Sequence, residues 1–488
     1  MVHVFVRNED GQTELGSLLI PDSLGILPPM LRVFRIKGDT MELSTLDELK
    51  QKNDRPKRYA HFDKRVSLAT AWGYVTNPER VAHHAFYPFI HYTKTIYKFD
   101  KQENKRKPKT REIRYSAHID RCIYQYYGAL LNEKYYERLK QDGLSHVAIA
   151  YRSDLHKNNL HFAKDAFDFI RCVSDCYIIV GDFTNFFDTL QHRYLKQRLV
   201  DFLGAKLPPD YYALFKNITQ YSSWDLDDLI QLNGLEGEKS KYKKLNSREQ
   251  VLPPEKFKQY KATHASPNRS GCGIPQGSAI SAVLSNIYML AFDKVLNNYV
   301  QGLSGLYMRY CDDFIIVLPN DGRAAFEKQL AFIRDTVEQI PNLQLEPRKT
   351  QVFSFCSGTL LSENQTFGQG ENNGHNILNY LGLAFNGQRI SLRDKTISKY
   401  YNRMYRKAKT IIRQGGISPK GNRITGKELY KRYSYKGAKG FDRKTKKPLR
   451  NFISYVQRAE KIFGPDEAVD LVGKRHMQKI SKRLKVIK

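Results

Sequence analysis

"LYMRYCDDFIIVLP" (residues 306–319) sets two aspartates, Asp312 and Asp313, side by side between two apolar runs. Adjacent like charges repel, and carboxylates lose solvation beside apolar neighbours. Two readings meet that cost. The pair sits in a solvated hairpin turn, where Asp is common, or the paired carboxylates hold a divalent cation. The stretch alone leaves both open, and its apolar flanks read as strand, turn, strand.

The surrounding chain supplies a third carboxylate. "CYIIVGDF" (176–183) is a β-branched run that reads as a buried strand ending at Asp182, followed by a helix at about 189–203. "SAISAVLSNIYMLAFDKVLNNYV" (278–300) predicts a long amphipathic helix entered from the Gly-rich turn "SGCGIPQG". A helix near 322–339 and a strand near 351–356 come after the Asp pair, and "DRCIYQYYGALLNEKYYERL" (120–139) predicts a further helix. This order suits an α+β fold, an antiparallel sheet backed by helices. If the strand ending at Asp182 lies beside the 306–318 hairpin, three carboxylates meet at one sheet end. Such a cluster is costly unless cations neutralise it. Magnesium, a hard ion preferring oxygen, suits it. Two such ions roughly 4 Å apart can activate a hydroxyl and stabilise a leaving pyrophosphate, which is phosphoryl-transfer chemistry.

Charge points to the partner. The 488 residues carry 80 Lys+Arg against 50 Asp+Glu, a net +30, which suits a polyanion such as nucleic acid. Residues 391–488 hold 29 Lys+Arg and 7 Asp+Glu, a net of 29 − 7 = +22, so this last fifth reads as a basic module. No run of 18 apolar residues occurs and "MVHVFVRNEDGQ" lacks a signal-peptide pattern, so a cytoplasmic protein with no membrane partner is expected. Six cysteines make no disulfide scaffold; Cys172 and Cys176 read as buried reduced thiols. His83, His84 and His192 read as structural. Residues 223–268, rich in charge and turn residues, read as an insertion with little core of its own.

Six stretches in order resemble the motifs of reverse transcriptases: "KTREIRYSAHIDR" (109–121), "GDFTNFFDTLQH" (181–192), "GIPQGSAISAVLSNIYM" (273–289), "YCDD" (310–313), "LQLEPRKT" (343–350) and "NYLGLAFNG" (379–387). The resemblance implies a right-hand polymerase. An N-terminal extension (1–95) would precede fingers (96–175), a palm (176–390) and a basic helical thumb with the C-terminal module (391–488). It implies catalytic Asp182, Asp312 and Asp313. These and the Phe183 backbone would hold two magnesium ions, for which manganese can substitute. Arg111, Phe187, Gln276 and Lys349 would contact the nucleotide. Tyr151, Arg152, Gly277 and Tyr310 would contact template or primer. The implied partners are an RNA template, deoxynucleoside triphosphates and the cDNA product, and relatives that assemble imply a homo-oligomer.

Phe187, five residues after Asp182, bears on the product. A bulky ring there excludes a ribose 2′-OH, which favours DNA over RNA synthesis. All three aspartates are present, which argues against a non-catalytic binding module. "HHAFYPFIHYTKTIYKFD" (83–100), with the 111–139 stretch, resembles bacterial defence-associated reverse transcriptases of the so-called unknown groups. That resemblance implies antiphage action with a structured non-coding RNA. Retron-like, intron-type and RNA-directed RNA polymerase readings are the alternatives.

Overall fold

In the computed structural model the apolar run before Asp182 forms the strand Asp175–Asp182, at the centre of a five-stranded sheet. The structure describes residues 2–7, 13–18, 45–100, 104–368, 375–413, 415–417, 423–441, 449–465, 467 and 476–485. The chain divides into two units, Met1–Glu48 and Leu49–Lys488. In the first, strands Val2–Arg7 and Thr13–Leu18 form an antiparallel hairpin. All features below belong to the second.

The central sheet runs in the order Leu306–Tyr310, Asp313–Pro319, Asp175–Asp182, Gln351–Cys356, Thr359–Ser362, and every neighbouring pair is antiparallel. Its strands are apolar on both faces because both are covered. Ile179, Ile316 and Val352 pack in one cluster with Val283, Ile287 and Leu296 of the helix Ser281–Gly302. Ile178, Val180 and Val317 pack in another with Ala166, Phe167 and Ile170 of the helix Asn159–Val173. Alternate residues of one strand thus feed two cores, and each fully buried Ile or Val contributes roughly 1.5–3 kcal/mol.

The helix expected over 278–300 runs Ser281–Gly302; it is buried all round over residues 283–290, and only its C-terminal half is amphipathic, with Lys294, Val295, Asn298 and Gln301 exposed. The central sheet and the helix His118–Gln141 cover its N-terminal half.

The 223–268 segment departs from expectation more sharply. It has a core, in which Trp224, Leu229, Ile230, Val251 and Leu252 pack against Ala60, Phe62 and Ile90. Its strand Ser222–Asp225 joins the sheet that contains Phe89–Thr93 and Glu112–Tyr115. Few apolar residues suffice because their partners come from more than a hundred residues upstream. At this junction His61 is fully buried; its Nδ1 accepts the Phe62 N–H at 2.9 Å and its Nε2 lies 3.2 Å from the Tyr115 carbonyl. Burial above all, and then His118, push the His61 pKa down to about 3.

Cys176 is buried, but Cys172 is exposed because it lies on the outer face of the helix Asn159–Val173. His84 is held by Asp120 and Tyr74, and His192 by the Gly273 carbonyl. No helix among the described residues is long and apolar enough to cross a membrane.

The C-terminal residues form the helices Asp394–Arg413, Gly426–Tyr433, Tyr435–Ala438, Phe452–Phe463 and His476–Lys485. The stretch 430–438 is helical through most of its length; 442–448 lies outside the described residues. Nor is the module detached. Val456 and Ala459 enter the palm's second core, Asn159 donates to Tyr455 Oη at 3.1 Å, and Arg171 pairs with Glu467 at 2.7 Å.

Candidate active site

Register brings the carboxylates together. Asp182, the last residue of its strand, lies directly opposite Asp313, the first residue of the neighbouring strand. Asp312 occupies the two-residue turn between Tyr310 and Asp313, after Cys311 in the left-handed region at φ 63°. A non-glycine residue there is strained and must be held by its surroundings. The Asp312 carbonyl accepts the Phe183 N–H at 3.1 Å, and the Asp182 carbonyl accepts the Glu346 N–H at 2.7 Å. Gly181 lets the strands close on each other. A Cβ there would lie 2.3 Å from the Phe314 ring, so only glycine leaves that ring its place.

Electrostatics make this end of the sheet demanding. Burial and the Asp182 charge push the Asp312 carboxyl pKa up. Desolvation, then Asp312 and Asp182, push that of Asp313 up. Lys349 forms an ion pair with Asp182. Among the described residues no group of three or more His, Cys, Asp and Glu converges as a ready metal cage. The donor set is nevertheless all hard oxygen, and magnesium is ordinarily bound by one or two carboxylates with water and substrate phosphates completing its shell. Asp182, Asp312 and Asp313 fit that chemistry. A cleft of about 510 Å³ opens over Asp182 and Asp313, bounded by Tyr310, Lys349, Arg348 and Arg393.

Beneath the Asp pair lies a buried polar network that sequence reading did not single out. Arg309 and Asp293 are both fully buried and paired, with Arg309 Nε donating to Asp293 Oδ1 at 2.8 Å. Tyr307 donates to the same oxygen at 2.8 Å. Arg309 Nη1 donates to the Cys311 carbonyl at 3.0 Å. The guanidinium therefore ties the helix Ser281–Gly302 to the strained residue just before Asp312. Asp293 in "AFDKV" and Arg309 in "MRY" are signals only in hindsight, since charges in apolar runs are more often solvated at one face.

The other expected residues are distributed around this centre. Tyr151, at φ 62°, is half exposed and donates to Cys311 Sγ at 3.5 Å, so it sits against the aspartate turn. Arg152 is turned inward. Its guanidinium is buried and clamped to Asp154 at 2.6 and 2.7 Å, and it lies over the Tyr136 ring. A neighbouring carboxylate outcompetes solvent for the fork, so Arg152 fixes the Tyr151 loop. Phe187 is half-buried against Phe186, and its carbonyl accepts the Ile274 N–H at 2.9 Å. That bond joins its loop to the turn bearing half-buried Gln276 and exposed Gly277. Gly277 has φ 103°, and a Cβ there would lie 3.5 Å from the Arg114 carbonyl. Arg111 is exposed beside the strand Glu112–Tyr115, and its backbone exchanges two hydrogen bonds with Lys94. Tyr310, half-buried, lines the cleft. Arg114, near Gly277 and donating to Ser223 at 3.2 Å, was missed.

Comparison with known proteins follows the same outline. The family model described as "Reverse transcriptase (RNA-dependent DNA polymerase)" matches residues 121–385. No curated protein matches the chain. Among solved structures, apo telomerase from Candida tropicalis is similar at 12% identity and TM-score 0.41, over 82% of this chain and 66% of that one. The same telomerase truncated from its C-terminal domain aligns at 13% and 0.37, over 62% and 54%. Telomerase from Candida albicans in complex with the TWJ fragment of telomeric RNA aligns at 12% and 0.37, over 84% and 58%. This chain thus spans between about half and two thirds of those chains.

Proposed function

Because the chain belongs to the reverse transcriptase family, we propose that it is an RNA-directed DNA polymerase that copies an RNA template into cDNA from deoxynucleoside triphosphates. The observation that carries this reading is the register of Asp182 against Asp313 with Asp312 in the hairpin turn just before Asp313. Two magnesium ions, or manganese in their place, held by Asp182, Asp312, Asp313 and the Phe183 carbonyl, would supply activation of the primer hydroxyl and neutralisation of the departing pyrophosphate. Lys349 holds Asp182 by charge and stands at the cleft edge, where a triphosphate would meet its ammonium. Arg111 presents an exposed guanidinium suited to bidentate phosphate contact. Gln276 and Gly277 border the nascent base pair, Tyr310 the primer end and Tyr151 the template side of the aspartate turn.

Phe187 favours DNA over RNA as product, since an aromatic ring excludes the 2′-OH by bulk. The antiphage role, a structured non-coding RNA partner and self-association rest on the resemblance of residues 83–139. Sequencing RNA that co-purifies with the protein tests the partner: one abundant structured RNA supports it, and a heterogeneous pool rejects it. Light scattering of the purified protein tests self-association. For the chemistry, Asp312→Ala abolishes nucleotide incorporation on a primed RNA template and leaves the circular-dichroism melt nearly unchanged. Wild-type incorporation by that variant would refute the assignment.

A further inference from the structure

The C-terminal helices form an open cavity of about 660 Å³, larger than the cleft over the carboxylates and sharing no lining residue with it. Lys399 and Arg403 reach it from the helix Asp394–Arg413, Lys431 and Arg432 from Gly426–Tyr433, and Arg450 from the turn before Phe452–Phe463. All five are exposed. Among the described residues Glu428 is the single acid in the lining, 3.9 Å from Arg432. Lys399 and Arg403, four residues apart, share one face of their helix, and the adjacent Lys431 and Arg432 line the same cavity from the second helix.

Five converging cations repel one another, and one carboxylate cannot offset them. A polyanion can. The floor is apolar and fixed. Tyr400 and Tyr433 are buried beneath it, with Tyr400 donating to the Tyr433 carbonyl at 2.7 Å. Half-buried Phe452 also lines it. Asn451 donates to the Ser434 carbonyl at 2.8 Å and caps the helix that begins at Phe452. A cationic rim over an aromatic floor matches the two chemistries of an unpaired nucleotide, phosphate and base. The volume lies in the range of sites for small ligands. A concavity of this size admits one or two splayed nucleotides, whereas a rigid duplex can touch only its rim.

Position adds a reason. Arg393 lines the catalytic cleft and Thr396 lines this cavity, three residues further along the chain. Three residues of helix rise about 4.5 Å. The linings of cleft and cavity are thus neighbours along the chain.

We propose that this cavity is a second nucleic-acid site, which anchors an unpaired stretch of one or two nucleotides of a single strand. The proposal rests on the polymerase reading for its strand, and its test does not depend on polymerisation. Labelled 12-nucleotide oligo-U, oligo-dT and a blunt 12-base-pair duplex would be titrated against the full chain by fluorescence anisotropy at several salt concentrations. The wild type is expected to bind a single strand more tightly than the duplex. Arg403→Gln with Lys431→Gln is expected to weaken single-strand binding at least tenfold. The double variant should also flatten the log–log salt slope by about 1.4, two phosphates at roughly 0.7 each. Duplex binding and addition of one nucleotide to a short annealed primer–template should stay within twofold. The tighter of the two single strands identifies RNA or DNA as the source. Lys399→Gln, a single exposed change, covers the case in which the double variant misfolds: it should weaken the same probe about threefold. Unchanged single-strand binding and slope would overturn the proposal, as would equal losses for duplex and single strand, which mean a general template–primer grip. Asp312→Ala separates the two readings, since it should remove nucleotide addition and leave oligo-U binding intact.

Discussion

The palm and the C-terminal module each crowd like charges together, with opposite signs and by opposite means. In the palm, Asp182 and Asp313 are short side chains placed by strand register, and Asp312 by a strained turn. Their positions are backbone positions, held by a covered sheet. In the module, Lys399, Arg403, Lys431, Arg432 and Arg450 are long, exposed side chains on helices. Their heads move while their stems stay anchored. A short rigid acid cluster suits a small ion at fixed distances. A flexible basic rim suits a phosphate backbone whose position varies with sequence. The two regions share packing but not tolerance: losing one acid is expected to be decisive, and losing one cation graded.

The comparison breaks most directly at Asp312. Asp312→Asn keeps the shape and removes one charge, and incorporation in a primer-extension assay should fall by ~1,000-fold or more, about 4 kcal/mol of barrier. A loss of only a few-fold would place the acid cluster on the tolerant side.

The next effect tests whether rigidity comes from below. Arg309→Met leaves Asp293 buried without its counter-charge, with only the Tyr307 hydroxyl donating to it, which should cost roughly 3–5 kcal/mol of stability in chemical denaturation. Arg309→Lys keeps the charge but loses the fork that reaches both Asp293 and the Cys311 carbonyl. If Arg309 positions the turn, that variant lowers kcat with little change in KM for the nucleotide. A change in stability alone, with kcat intact, would reduce Arg309 to a packing role.

Phe187 sharpens the contrast inside the palm. Phe187→Ala should raise ribonucleotide use relative to deoxynucleotide use by roughly 30- to 1,000-fold, on the order of 2–4 kcal/mol. The measurement is competition between matched nucleotides. An unchanged ratio would put sugar selection elsewhere.

The smallest effect lies outside both regions. His61 has a folded pKa of about 3, below its ordinary 6.5. Between those values the unfolded chain binds the proton that the folded chain refuses, so stability rises with pH through this window and is lost as pH falls below 6.5. At pH 5 the loss should be ~2 kcal/mol relative to pH 8. His61→Gln should flatten that part of the stability–pH profile. Loss of polymerisation at pH 5 without the change in unfolding would trace instead to the palm.

The two regions also differ in how far the chain announced them. The Asp182 strand, the 351–356 strand and the 322–339 helix were legible within a few residues, because β-branched runs and 3.6-residue periodicity are local signals. Residue types and their order also placed three carboxylates on two strand ends. What those signals left out is burial by distant partners. Arg152 carried the marks of a template contact until Asp154 claimed its fork. The 223–268 segment looked coreless until residues 60–90 closed over Trp224. Charge marked the module, but not that Val456 and Ala459 belong to the core of the central sheet. The positive charge of residues 391–488 was plain from composition, but its convergence on one cavity was not. Composition counts charges without regard to direction. Only packing helix against helix decides which cations face each other, and only strand pairing sets Asp182 opposite Asp313, since both depend on contacts between residues far apart in the chain.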